Sequence, residues 1–129
     1  MSRPLPPAVI EELARFRPRV DLEAMRLHVG GTLGRIPPLF RASAMTFGRH
    51  VLIREQSYRT DVPWGLALIA HESGHIPQWR ELGALRFLFN YARGLVASRF
   101  DHDTHPMEVE LVAEQRRIRA TLEAERGGP

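Results

Sequence analysis

The sequence predicts a single α+β domain: a small, mostly antiparallel sheet packed on a buried helix, with two more helices closing the core. Three observations carry this. Short alternating segments lie at 25–29 and on either side of Gly48; an apolar helical stretch runs over about 62–82; two amphipathic helical stretches follow it. At 129 residues the chain suits one domain with its own core, spanning 1–129.

The elements follow in order. Residues 1–7 are proline-rich and read as extended. Pro6 and Pro7 open a helix over Ala8 to Arg17, with Val9, Ile10, Leu13 and Phe16 at helical spacing, and Pro18 ends it. Met25, Leu27 and Val29 alternate with Arg26 and His28, the pattern of a strand closed by Gly30-Gly31. GTLGRIPPLF, residues 31–40, reads as a loop. ASAMTF and RHVLIRE flank Gly48 as a hairpin, with Met45, Phe47, Val51 and Ile53 expected on its buried face.

QSYRTDVPW then leads into the 62–82 helix, with Thr60 or Asp61 as cap and Pro63 in the first turn. Pro77 should kink this helix just after His75, and Gly83 should end it. The helix over Ala84 to Arg99 is expected to bury Leu85, Leu88, Tyr91, Ala92, Leu95 and Val96. The last helix should run from Pro106, capped by Thr104 or His105, to about Arg126, with Met107, Leu111, Ile118 and Leu122 as its apolar stripe and 127–129 as a loose tail.

Composition excludes several functions. Cysteine is absent, so disulfides, thiolate metal sites and a cysteine nucleophile are ruled out, and any metal must be held by His, Asp or Glu. All 18 basic residues are arginine, and the net charge is only +3. They are spread along the chain without interleaved aromatics, so no nucleic-acid partner is expected. The Arg116–Arg119 run reads as a solvated helix face. The sequence shows neither a secretory signal nor a membrane-spanning run, which places it by default in the cytoplasm. ALRFLFNYARGLVASRF could lie in a membrane interface, but such a helix more often lines a core, so membrane contact is not expected.

The chemistry concentrates in LALIAHESGHIPQWRELG, residues 66–83. His71 and His75, four apart on a helix, lie about 40° from each other around its axis, so both imidazoles can face one ion. Glu72 points to the side of that pair, where it can act as a general base on metal-activated water without itself being a ligand. The simpler reading is two satisfied helix histidines. A catalytic zinc needs a third protein ligand. HPMEVELVAE, residues 105–114, is the source. Glu108 and Glu110 are about 200° apart on a helix, and Glu108 lies nearer the apolar stripe, so it is favoured. Asp101, His102 and His105 on the preceding loop stay in reserve. His28 and His50 read as surface or packing residues, and Trp64, Trp79 and Phe87 as core. Tyr58 and Tyr91 are open candidates for polarising a carbonyl.

DLEAMRLHVGG, ASAMTFGRHVLIRE and the HESGH helix with Gln78 together resemble the small zincin-like domain called the extracellular contractile injection system core domain. The resemblance covers roughly residues 20–83. The later HPMEVELVAE is similar to the second helix of gluzincins. Carried over, the resemblance implies a minimal zincin-like fold with Zn2+ held by His71, His75 and Glu108. It further implies Glu72 as catalytic base in a zinc metallopeptidase, a hydrolase acting on a peptide or protein substrate. The chain departs from the pattern at Ser73-Gly74, Pro77 and Leu111, and the glycine leaves room beside the ligands. A metal-stabilised binding or scaffold module with little or no hydrolysis is the alternative reading.

Overall fold

The structure, a computed structural model, describes residues 2–101 and 103–127, so His102 and the last two residues of the tail lie outside it. The elements are α1 (Pro7–Ala14), β1 (Arg26–Val29), α2 (Ile36–Leu39), β2 (Ala44–Phe47), β3 (His50–Ile53), α3 (Pro63–Ser73), α4 (His75–Leu82), α5 (Ala84–Ala97) and α6 (Val109–Glu125). The predicted α+β class holds, and 31–40, expected as loop, contains the short α2.

The three strands are ordered β1-β3-β2. β2 and β3 form the antiparallel hairpin about Gly48, whereas β1 runs parallel to β3, so the sheet is mixed. The two-residue turn pairs Phe47 with His50 and therefore Thr46 with Val51 and Ala44 with Ile53. Cross-strand partners share a face. With Val51 and Ile53 fully buried, the residues turned inward on β2 are Ala44 and Thr46. Met45 and Phe47 thus lie on the opposite face from the one the sequence suggested, because the turn length fixes the register.

α3 lies between the sheet and α6, making its most extensive contact with α6 and a further one with β2. Leu66, Ala67, Ile69 and Ala70 are fully buried and meet Leu27, Val51, Ile53, Ile118 and Leu122 in one core. The continuous helix expected over 62–82 is interrupted at Gly74, one residue before His75 rather than after it. Pro77 supplies the reason: its ring crowds the carbonyl four residues back, at Ser73, and offers that carbonyl no N–H. The gap at Gly74 is filled from α6, since a Cβ there would stand 2.5 Å from Leu111 Cδ2 and 3.0 Å from an Arg17 guanidinium nitrogen. The glycine therefore makes room for helix packing and not for the ligands.

Neither α3 nor α6 has the side-chain cap expected from sequence; Val62 and Glu108 hold those positions. Gly83 ends α4 as predicted, at φ 79°, and also opens α5. The buried face of α5 differs from the predicted one. Phe87, Gly94 and Leu95 point inward, while Leu85 and Val96 are 85% and 71% exposed. The face is set by ring contacts: Phe87 stacks on Trp79 with centroids 3.9 Å apart, and His105 lies against Tyr91 at 4.3 Å. A Cβ at Gly94 would sit 2.4 Å from the His105 ring, so this glycine seats the turn that leads into α6.

That close approach gives a test. Helix propensity alone favours alanine over glycine by about 1 kcal/mol at such a position. Because the His105 ring has nowhere to move, Gly94→Ala should instead destabilise the protein by about 1–3 kcal/mol in denaturant unfolding.

Candidate metal centre

Three elements converge on one point. His71 comes from the last turn of α3, His75 from the first residue of α4, and Glu108 from the residue preceding α6. All three are buried, at 6%, 3% and 4% exposure. One Glu108 oxygen, Oε1, lies 2.8 Å from His71 Nε2 and 2.9 Å from His75 Nε2. One ligand atom from each residue can be chosen so that all three lie within 4.8 Å of one another, close enough to hold a metal ion. Two imidazoles and a carboxylate are a donor set of catalytic zinc sites.

The surrounding hydrogen bonds fit such use. Gln78 Nε2 donates to the Met107 carbonyl at 3.2 Å, which turns Gln78 Oε1 toward His75 Nδ1 at 2.8 Å. An amide oxygen only accepts, so His75 must carry its proton on Nδ1, and Nε2 is the nitrogen left to face a cation. Tyr91 donates its hydroxyl to Glu108 Oε2, leaving Oε1 for the histidines. Burial, reinforced by the Glu108 charge, raises the Tyr91 pKa, so the hydroxyl stays a donor. Tyr91 therefore orients the carboxylate. His71 is the less supported ligand: its Nδ1 is buried without a hydrogen-bond partner.

Glu72 is buried beside the cluster, its Oε2 3.8 Å from His71 Nε2. Thr46 Oγ1, on the inward face of β2, lies 3.0 Å from Glu72 Oε1 and equally 3.0 Å from the Glu72 carbonyl. Its single proton can serve either oxygen. Thr46 escaped the sequence reading because β2 was placed in the wrong phase; the turn length at Gly48 was the available signal.

The remaining candidates fall elsewhere. Glu110 and Asp101 are exposed. His105 is fully buried, but Nε2 donates to the Tyr91 carbonyl at 2.8 Å and Nδ1 accepts the Met107 N–H at 3.0 Å, so neither nitrogen is left for a metal. His28 and His50 face each other across the sheet, 3.1 Å between ring nitrogens. Tyr58 packs under Arg3 rather than at the cluster.

Two cavities open from the centre. One, of 360 Å³, is bordered by Arg41, Asp103, Gln115, Arg116 and Arg119; the other, of 170 Å³, by Phe47, Trp79, Phe87, Leu88 and Leu95. Ala44, Glu72 and Glu108 line both. Arg116 and Arg119, expected on a solvated face, stand eight and eleven residues beyond Glu108 and share its side of α6, a helical spacing legible in the sequence.

Electrostatics single out His75. Burial opposes its charge, but the Glu108 hydrogen bond and charge outweigh that, helped by Glu72 and Gln78, and raise its pKa to about 9. A folded-state value above the ordinary 6.5 means that the native protein binds the extra proton. In chelator-treated protein this contribution to stability is fully present below pH 6.5 and lost as pH rises through about 9. The denaturation midpoint should therefore fall across that window, and His75→Phe should remove the slope. Gln78→Leu, which deletes the acceptor on His75 Nδ1, should weaken the binding of an added divalent metal ion roughly 10- to 100-fold in a competitive chelator titration.

No curated protein and no solved structure matches the chain. A family model described as the eCIS core domain matches residues 4–83, a segment that holds His71, Glu72 and His75 and ends before Glu108. That match spans more than half of the sequence, and the chain belongs to the eCIS core domain family.

Proposed function

We propose that this protein is a zinc-dependent metallopeptidase of gluzincin type, with His71, His75 and Glu108 as ligands and Glu72 as catalytic base. The observation that carries the reading is the convergence of two helix histidines and a carboxylate 33 residues further on, with a second carboxylate alongside that takes no part in the triad. When bound, zinc supplies Lewis-acid polarisation of a carbonyl and acidifies water.

The rest is work for the chain's own groups. Glu72, with Thr46 near Oε1, accepts a proton at Oε2 and returns it to the departing amine. Gln78 fixes the His75 tautomer, and Tyr91 holds Glu108 in place. The two cavities that meet at Glu72 provide room for a peptide on both sides of the reacting bond.

A second reading, a metal-stabilised binding or scaffold module with little or no hydrolysis, is favoured by one feature. The four polar residues of the centre are each no more than 6% exposed. Elemental analysis with a peptidase assay separates the two. Wild type should hold close to one zinc per chain, and His71→Ala and Glu108→Ala should lose most of it. Glu72→Gln should keep the ion and lose hydrolysis by at least about a hundredfold. Zinc held by wild type and lost in both ligand variants, with no hydrolysis in wild type, would favour the module; loss of zinc in Glu72→Gln would contradict the assignment of Glu72.

A further inference from the structure

Two chambers of opposite chemistry touch the same pair of carboxylates. The smaller has an aromatic wall: Trp79 stacked on Phe87, Phe87 stacked on Tyr91 at 5.7 Å, and Phe47 tilted against Trp79 at 5.9 Å. Its volume of 170 Å³ is comparable with apolar cavities of about 150 Å³ that hold a benzene ring. The larger carries three guanidinium groups, Arg41, Arg116 and Arg119, against one carboxylate, Asp103, outside the metal centre.

Charge in the larger chamber is only partly compensated. Arg116 reaches Asp103 at 3.4 Å, and Arg119 pairs with Glu123 at 2.9 Å along its own helix. Arg41 makes no ion pair among the described residues. It also has φ 59°, a left-handed conformation that a side chain with a Cβ seldom adopts. Its neighbour Phe40 borders the apolar chamber while Arg41 borders the basic one, so the 40–41 step straddles the two.

Resting on the peptidase reading for its catalytic half, we infer that the two chambers are side-chain subsites flanking the cleaved bond. The apolar one takes an aromatic or large aliphatic residue, and the basic one takes a carboxylate. The preferred substrate is a peptide in which a residue such as Phe or Leu adjoins an acidic one or the chain's own C-terminal carboxylate. Exposed guanidinium–carboxylate pairs are individually weak, each worth about a two- to fivefold effect. With Arg41 unpaired among the described residues and Arg116 and Arg119 partly compensated, attraction of an acidic group together with repulsion of a basic one gives a preference of about tenfold between the two, which should decline with salt.

Binding and cleavage are read separately. Fluorescence anisotropy on zinc-loaded Glu72→Gln protein compares labelled peptides with Phe-Glu, Phe-Arg and Ala-Glu at the centre. A further pair ends in Phe-Gly with a free or an amidated C-terminus. Phe-Glu should bind about tenfold tighter than Phe-Arg and than Ala-Glu. A gain from the free over the amidated terminus would identify a terminal carboxylate as a ligand of the basic chamber, and equal binding would restrict it to acidic side chains. The double variant Arg41→Glu, Arg116→Glu, at two exposed positions, should reverse the Glu-over-Arg preference and leave the Phe-over-Ala preference intact.

Cleavage of the same peptides by wild type then separates the two ideas. Binding with this selectivity but no cleavage would leave the subsites standing and overturn the peptidase reading. Cleavage without selectivity, or no binding of any peptide, would overturn the subsites.

Discussion

The Glu108 carboxylate ties the molecule together. It lies between two imidazoles on adjoining helices and accepts the Tyr91 hydroxyl from a third, so α3, α4, α5 and the start of α6 meet on one side chain. A buried carboxylate is strongly disfavoured unless positive charge or donors surround it. Here the donors are the groups that a cation would replace or order. His75 holds its proton to about pH 9 because Glu108 stands beside it, which is the same attraction that draws a metal ion into such a cluster.

Much of the fold serves this convergence. Pro77 disrupts the helix at Ser73-Gly74, and the missing Cβ at Gly74 lets Leu111 close in. Three residues before Leu111, Glu108 is thereby brought to the histidines. Gly94 does the corresponding work on the other side. Without a side chain it accepts the His105 ring, whose two nitrogens are bonded to the Tyr91 carbonyl and the Met107 N–H. The 105–108 turn that results is what directs Glu108 inward. Tyr91 links the pieces, since its carbonyl holds His105 and its hydroxyl holds Glu108.

The legible part of this was the part with local periodicity. The four-residue histidine spacing, the Gly48 hairpin and the inward bias of Glu108 over Glu110 all follow from helix and strand geometry. What escaped depends on distant partners. Leu85, Phe87, Leu88 and Phe89 give the first turns of α5 a broad apolar face, so hydropathy could not say which part of it turns in. Trp79 and His105 decide it by contact. α6 begins at Val109 and not at Pro106 because His105 is engaged with α5 backbone. Thr46 was hidden by a one-residue phase error on β2, and the Gln78–Met107 bond joins residues 29 apart with no sequence signature. The family match ends at Gly83, so Glu108 and both walls formed by α5 and α6 lie beyond it.

Anomalous diffraction at the zinc edge from crystals of the zinc-loaded protein tests the central claim most directly. One peak is expected, about 2.0–2.2 Å from His71 Nε2, His75 Nε2 and Glu108 Oε1. A peak elsewhere, or an ion bound by the two histidines with Glu108 turned away to solvent, would contradict it.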